Sequence, residues 1–244
     1  MPLPSDLRAH LHALQPRRYG VLAFGDARVD RCLAEGGLAL GNLHAIAAAG
    51  IEAELGAVAA GFAASLLARL SDARPVFWIA QNCDLYPVGL LEYGLDPGRL
   101  VLVRAADDAE TLLAMEAALR AGAAAAVLGE LGRLERTPAR RLQLACLGRG
   151  STGFVLRRWP WGRKGMPQDG YAAVTSWLVA PVPSAAAYRE PGPARWRVEL
   201  LHARGGLEGC WIMQAGGTDA PHPLRVVAEL ADAAAAPPGR RRAG

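Results

Sequence analysis

The amino-acid sequence predicts an α/β fold with a mostly parallel central sheet, flanking helices and antiparallel strands at its C-terminal edge. Up to Arg157, short apolar strand segments alternate with helical segments at close spacing, which is typical of βαβ units. Beyond Arg157, the segments alternate apolar and polar residues and include a Gly-Gly turn, which is typical of antiparallel strands. The 244 residues are 52% hydrophobic, which is enough to bury one good core.

The individual elements are predicted from periodicity and from turn residues. Segment 75–80 is a continuous apolar run between turn residues, as expected for a strand that is buried on both faces. Helix 107–121 carries acids in its first turn and Arg120 in its last, which suits the helix dipole. In chain order, we predict helix 6–14, strand 43–47, helix 55–70, strand 75–80, short helix 87–93, strand 100–103, helix 107–121, strand 123–128, helix 139–147, strand 153–156, and strands 172–179, 196–203 and 209–214.

These elements divide the chain into three parts. Residues 1–32 form an N-terminal helix and linker, residues 33–215 form the core, and residues 216–244 form a C-terminal extension. The end of that extension is rich in alanine and proline and then in arginine, so we expect it to be disordered.

The composition excludes several classes of protein. Charged residues, proline and glycine interrupt every apolar run well short of the ~20 residues that a membrane helix needs. The N-terminus lacks the basic and then apolar order of a secretory signal. The four cysteines are far apart and form neither a CxxC motif nor a Cys/His cluster, which argues against a zinc site and a disulfide framework. We therefore expect a cytoplasmic protein without membrane contact.

Several segments resemble the RecA core. The run Gly36-Gly-Leu-Ala-Leu-Gly-Asn-Leu-His44 is similar to the segment that precedes the RecA phosphate loop. Residues 87–96 resemble the helix and turn after the second RecA strand, and Leu119-Arg-Ala-Gly122 resembles the approach to the Walker B strand. Among proteins with a RecA-like core, the chain resembles the ImuA family, the RecA-like subunit of bacterial mutagenic cassettes, over residues 36–214. The family resemblance depends on Asp107-Asp-Ala-Glu110, Met115-Glu-Ala-Ala-Leu-Arg120, Gly129-Glu130, Arg140-Arg-Leu-Gln-Leu-Ala145 and Trp196-Arg-Val-Glu-Leu-Leu201.

The resemblance implies a nucleotide site that lacks the residues needed to bind phosphates and to hydrolyse ATP. A phosphate loop needs glycine for close backbone approach, lysine for the phosphates and Ser/Thr for magnesium. The matching stretch, with Ala48, Gly50 and Glu54, has no Gly-Lys-Thr, and Glu54 falls about where the lysine should be. Asn82 falls where the water-activating glutamate belongs, and an amide cannot act as a general base. We therefore predict no ATP hydrolysis, no enzymatic activity, no cofactor and no metal.

Glu130 falls near the position of the metal-binding acid of the Walker B strand. The alternative interpretation is a solvated or hydrogen-bonded carboxylate at a strand end. His44 lies in a predicted strand, and we expect it to be a core histidine whose hydrogen bonds are satisfied, as opposed to a ligand.

Two basic sets are candidates for contact with DNA. The first follows the strand that ends near Leu156 and combines cations that suit phosphates with tryptophans that suit base stacking. Alternatively, its tryptophans pack on the sheet edge and its arginines are solvated. This first set consists of Arg157, Arg158, Trp159, Trp161, Arg163 and Lys164. The second set, on and beside helix 139–147, consists of Arg133, Arg136, Arg140, Arg141 and Arg149, and its alternative interpretation is a solvated helix face.

The family resemblance implies a non-catalytic scaffold for SOS-induced, error-prone translesion DNA synthesis. Its partner would be ImuB, an inactive Y-family polymerase homologue, and it would support an error-prone C-family polymerase. RecA and single-stranded DNA are further candidate partners. We expect the partner surface within residues 196–230, because edge strands recruit partners. Two alternatives stay open: a cell-division inhibitor that resembles SulA, although such chains are shorter, and a RecA-type ATP-dependent DNA-binding protein.

Overall fold

A computed structural model describes residues 19–50, 52–70, 73–82, 84–158, 173–184, 192–216 and 224–230 of the chain, with backbone alone at 52–55. Its strands, in chain order, are β1 (Val21–Leu22), β2 (Leu38–Ala39), β3 (Leu43–Ala48), β4 (Val76–Ala80), β5 (Leu100–Arg104), β6 (Ala126–Leu131), β7 (Thr152–Arg157), β8 (Thr175–Val182), β9 (Arg195–Ala203), β10 (Gly209–Ala215) and β11 (Leu224–Glu229). Its helices are α1 (Ala27–Asp30), α2 (Glu52–Ala68), α3 (Asp108–Ala121) and α4 (Arg136–Arg149), with 3₁₀ helices at Pro87–Tyr93 and Pro97–Arg99.

Nine strands form one sheet in the order β11-β10-β9-β8-β3-β7-β6-β4-β5. The six strands from β8 to β5 are parallel to one another, whereas β9 pairs with β8, β10 with β9 and β11 with β10 in antiparallel fashion. Strands β1 and β2 form a separate two-stranded sheet. The predicted fold class, a RecA-like α/β core with antiparallel edge strands, is therefore confirmed.

Helices cover both faces of the parallel strands, so these strands are apolar on both sides. Helix α2 packs on β8 and β3, while α3 and α4 pack together on the other face, over β6 and β7. Strand β3 shows the consequence, because Ile46 belongs to the core on the α2 side and Leu43 to the core on the α3–α4 side. All six residues of β3 are buried.

Local signals in the sequence set the helix ends. The Asp107 side chain accepts a hydrogen bond from the Glu110 backbone N–H and so caps α3, which ends at Gly122 in the left-handed conformation. Helix α4 begins at Arg136, three residues before the predicted start. Pro138 does not prevent this, because a residue in the first helical turn needs no intrahelical N–H bond.

Several other elements differ from the prediction, among them β1, α1 and β2, which were not predicted. Strand β6 lies three residues later than predicted, because the turn at Gly122 is followed by a connection before pairing with β4 begins at Ala126. Strand β8 likewise begins later, at Thr175. Strand β11 was not predicted: it lies in the segment assigned to the C-terminal extension, and it pairs with β10. The predicted helix 6–14 lies outside the described residues.

Candidate functional site

A polar cavity of about 550 Å³ opens at the carboxyl ends of the parallel strands β4, β6 and β7. In open parallel sheets, ligands bind in the crevice outside these strand ends. Four carboxylates and one arginine give the cavity a negative lining. Its lining residues are Gln81, Asn82, Asp84, Asp107, Asp108, Glu130, Gly132 and Arg158.

Glu130 lies at the floor of this cavity and is 5% exposed. Its Oε1 accepts a hydrogen bond of 2.7 Å from the indole Nε1 of Trp78. Its Oε2 accepts one of 2.8 Å from the guanidinium Nε of Arg158. Both carboxylate oxygens are thus engaged within the protein, which agrees with the alternative interpretation of Glu130 as a hydrogen-bonded residue near a strand end.

Neither Arg157 nor Arg158 is a freely solvated loop residue. Arg157 is the last residue of β7, pairs in register with Ala47 and Leu131, and is 4% exposed. The Arg158 guanidinium lies between Glu130 and Asp84, with its Nη2 3.4 Å from the Asp84 Oδ1. DNA contact by these two arginines stays a prediction, and in this conformation it would require them to leave buried or ion-paired positions.

The other members of the first basic set, Trp159, Trp161, Arg163 and Lys164, lie outside the described residues. Nothing in the structure tests their predicted contact with DNA.

Asp108 lies at the rim of the cavity and forms hydrogen bonds with the segments on either side of it. Its carboxylate accepts hydrogen bonds from the Gln81 side chain at 2.6 Å, from the Gly132 N–H at 3.1 Å and from the Arg133 N–H at 2.9 Å. These bonds join the start of α3 to the end of β4 and to the loop after β6. The exposed Asn82 lines the same cavity.

The connection that corresponds to a phosphate loop is short. Strand β3 ends at Ala48 and α2 begins at Glu52, so only residues 49–51 join them. The Ala49 N–H is bonded to the Val179 carbonyl of β8 at 2.8 Å. A phosphate loop ends in Gly-Lys-Ser/Thr at the start of the following helix, and the stretch from Ala48 to Leu55 has no such sequence. Gly50 lies in the connection, and Glu54 is the third residue of α2.

The structure therefore brings together part of the predicted nucleotide site. Asn82 and Glu130 line the same cavity, together with Arg158 of the first basic set, whereas Ala48 and Gly50 are absent from its lining. The sequence reasoning missed the roles of Trp78, Gln81 and Asp84 here, and it treated Asp108 only as a helix-start acid. No local motif signals these contacts, because they join residues that are far apart along the chain.

A second buried polar cluster lies toward the amino ends of β3 and β8. The His44 Nε2 is 2.9 Å from the Ala39 carbonyl, and its Nδ1 is 2.8 Å from the Thr175 hydroxyl. Since a carbonyl can only accept, Nε2 carries the proton, and the hydroxyl donates to Nδ1 of a neutral ring. The Trp177 Nε1 donates to the same hydroxyl at 2.7 Å. Burial lowers the pKa of His44 to about 4. The expectation of a satisfied core histidine is confirmed.

Four members of the second basic set lie on α4, and Arg133 lies in the loop before it. Arg136, Arg140 and Arg149 are exposed, while Arg141 forms an ion pair with Glu116 of α3. Among the described residues, no group of three or more His, Cys, Asp or Glu side chains is placed to hold a metal ion. None of the described helices has the length and the apolar character that a membrane crossing requires.

The sheet order, the flanking helices and the cavity at the strand ends define a RecA-like α/β protein. Comparison with known proteins narrows this class. The chain is 44% identical over 232 residues to Protein ImuA from two strains of Caulobacter vibrioides, an alignment that covers 91% of this chain and 95% of that protein. The chain belongs to the ImuA family. No family model matches it.

Proposed function

We propose that this protein is a non-catalytic accessory subunit of the ImuA/ImuB mutagenesis system, which carries out SOS-induced, error-prone translesion DNA synthesis. In this role it binds an ImuB-type inactive Y-family polymerase homologue and supports an error-prone C-family polymerase. Membership of the ImuA family supports a role in this system. The observation that carries the non-catalytic part is the engagement of both Glu130 oxygens by Trp78 and Arg158.

Three features of the site argue against nucleotide hydrolysis. The carboxylate near the metal-binding position is ion-paired with an arginine at 2.8 Å, and each of its oxygens already accepts a hydrogen bond. The residue near the general-base position, Asn82, has an amide side chain that cannot accept a proton. The stretch that joins β3 to the start of α2 lacks the Gly-Lys-Ser/Thr sequence that binds phosphates.

Isothermal titration of the full-length protein with ATP and magnesium tests this part of the proposal. We expect no saturable binding up to millimolar ATP. Micromolar affinity would overturn the non-catalytic assignment and would favour the RecA-type alternative.

The partner surface that we propose is the outer side of β11, at one edge of the sheet. An edge strand presents unpaired backbone groups to a partner strand. Arginines from α1 already engage part of this edge, because Arg28 donates to the Val226 carbonyl at 3.3 Å and Arg31 pairs with Glu229 at 2.5 Å. Val227 and Leu230 remain partly exposed there, as apolar contacts for the partner.

Co-purification of the full-length chain with its ImuB-type partner tests the surface. Val227→Glu should abolish retention, because a charge would be buried in the interface. Val101→Glu is the matched control, because Val101 lies on the opposite edge strand β5 with similar exposure, 40% against 37% for Val227. If the unaltered chain does not retain the partner, the proposed partnership is wrong. If only Val101→Glu loses the partner, the binding surface lies on β5 and not on β11.

A further inference from the structure

We propose that the outer face of α4, with Arg136, Arg140 and Leu144, is a binding track, that is, an extended site for the phosphodiester backbone of a nucleic acid. This inference concerns a different face from the strand-end cavity and does not require the partnership proposed above.

Four arginines of α3 and α4 lie on or beside this face. Arg120 and Arg141 converge on one carboxylate, that of Glu116, at 2.7 Å and 2.5 Å. Arg136 and Arg140 of α4 are exposed beside this pair. A concentrated patch of one sign favours a polyanionic partner.

Arg136 and Arg140 repel each other within α4. They are four residues apart, so their side chains lie on the same side of the helix, about 6 Å apart along its axis. Like charges at this spacing destabilise a helix by a few tenths of a kcal/mol. Among the residues that the structure describes, no carboxylate forms an ion pair with Arg136, Arg140 or Arg149. An anion that spans these arginines would remove the repulsion.

The shape of the basic set suits a strand-like ligand. Arg136 and Arg140 lie on the same side of the helix, so their positive charges follow its axis, whereas Arg149 lies on the opposite side. Guanidinium groups form bidentate hydrogen bonds with phosphate. Leu144 lies one further turn along the row of Arg136 and Arg140 and is 68% exposed, which places an apolar contact beside the charges.

The structure also joins this track to the end of β7. The Arg158 N–H is bonded to the Leu131 carbonyl at 2.9 Å, and a Cβ on Gly132 would lie 3.7 Å from the Arg158 carbonyl oxygen. The loop that leads into α4, which carries Arg133, therefore runs beside the point at which β7 ends. Arg158 of the first basic set and Arg133 of the second, which are 25 positions apart in the sequence, therefore lie near each other in the fold.

Fluorescence anisotropy with the full-length protein and a fluorescein-labelled 20-nucleotide oligothymidylate tests the track, with salt varied. The double variant Arg136→Ala/Arg140→Ala should raise Kd about 25-fold at 0.1 M salt. It should also lower the slope of log K against log salt by about 1.4, because each phosphate contact on a single strand contributes ~0.7. An oligouridylate of the same length shows whether DNA or RNA is the preferred source of the backbone.

The matched control is Arg104→Ala/Arg204→Ala, which removes the same charge from two exposed arginines on other parts of the surface. It should change Kd less than about twofold, since only long-range charge is lost. Equal weakening by both pairs, or no binding by the unaltered protein at 0.05 M salt, would overturn the proposal. So would a polyglutamate peptide that binds through Arg136 and Arg140 while oligothymidylate does not bind. The double variant should still retain the ImuB-type partner. Failure of the nucleic-acid proposal and failure of the proposed partnership can therefore be told apart.

Discussion

Two buried tryptophans donate their indole N–H groups to polar side chains at opposite ends of the same sheet. Trp78 donates to Glu130 beside the cavity at the carboxyl ends of the strands. Trp177 donates to Thr175, which in turn bonds to His44 near the amino ends of β3 and β8. The donors and distances are alike, so the two clusters differ mainly in what accepts the bond.

The acceptor is charged at one end and neutral at the other. Glu130 is paired with Arg158 and borders a cavity of about 550 Å³. His44 is completely buried, and its hydrogen bonds to Thr175 and Ala39 fit the neutral ring alone. Charged groups are costly to desolvate, so a buried ion pair is weak support for stability by itself. The comparison indicates that the neutral cluster joins strands, whereas the charged cluster also shapes the cavity at the strand ends.

Removal of the Glu130 carboxylate gives the largest expected effect. Glu130→Ala leaves Arg158 without its ion-pair partner and the Trp78 N–H without an acceptor, so we expect a loss of about 3 kcal/mol in the free energy of unfolding. Urea denaturation monitored by tryptophan fluorescence measures it.

Glu130→Gln is the control, because an amide oxygen still accepts from Trp78 while the charge is lost. We expect it to destabilise by about half as much as the alanine variant. Equal stability of Glu130→Ala and the unaltered protein would contradict the role given to the ion pair.

The sequence predicts the fold better than it predicts these two clusters. Strand β4 was predictable, because its apolar run is continuous, and helix α3 because its cap and its first-turn acids are local signals. The bond between Trp78 and Glu130 joins residues 52 positions apart, and no local pattern reveals it. The position of Arg158 depends equally on the parallel pairing of β6 and β7.

Strand β11 shows a second limit of sequence reasoning. Its sequence, Leu-Arg-Val-Val-Ala-Glu, has apolar residues at adjacent positions and so lacks clear alternation. The bulge in its pairing, between Ile212 and Met213 of β10, shifts the register partway along and explains why a period of two fails there. Pairing with β10, which is a tertiary effect, makes this segment a strand.

Acid should destabilise the protein through the His44 cluster, by less than the Glu130 substitution does. The pKa of His44 is about 4 in the folded state and near 6.5 in the unfolded chain. Both states are neutral above pH 6.5, so the stability is complete there. As the pH falls from 6.5 towards 4, only the unfolded chain takes up the proton. The free energy of unfolding should therefore fall by about 2 kcal/mol between pH 7 and pH 5.

Urea denaturation at both pH values, with His44→Gln as the control, isolates this contribution. The glutamine side chain does not titrate, so the variant should lose about 2 kcal/mol less than the unaltered protein between the two pH values. An equal loss in both proteins would assign the acid sensitivity to other groups.

The smallest expected effect is the difference in free energy between the two indole hydrogen bonds. Hydrogen bonds to charged groups contribute about 1.5–3 kcal/mol, whereas neutral bonds contribute about 1 kcal/mol. A double-mutant cycle with Trp78→Phe and Glu130→Ala should give a coupling energy about 1 kcal/mol larger than a cycle with Trp177→Phe and Thr175→Val. Both cycles remove the same indole atoms, so cavity terms cancel within each one. A coupling at Thr175 as large as that at Glu130 would mean that the charge adds nothing to the bond. Glu130 would then serve only to hold Arg158 in the cavity wall.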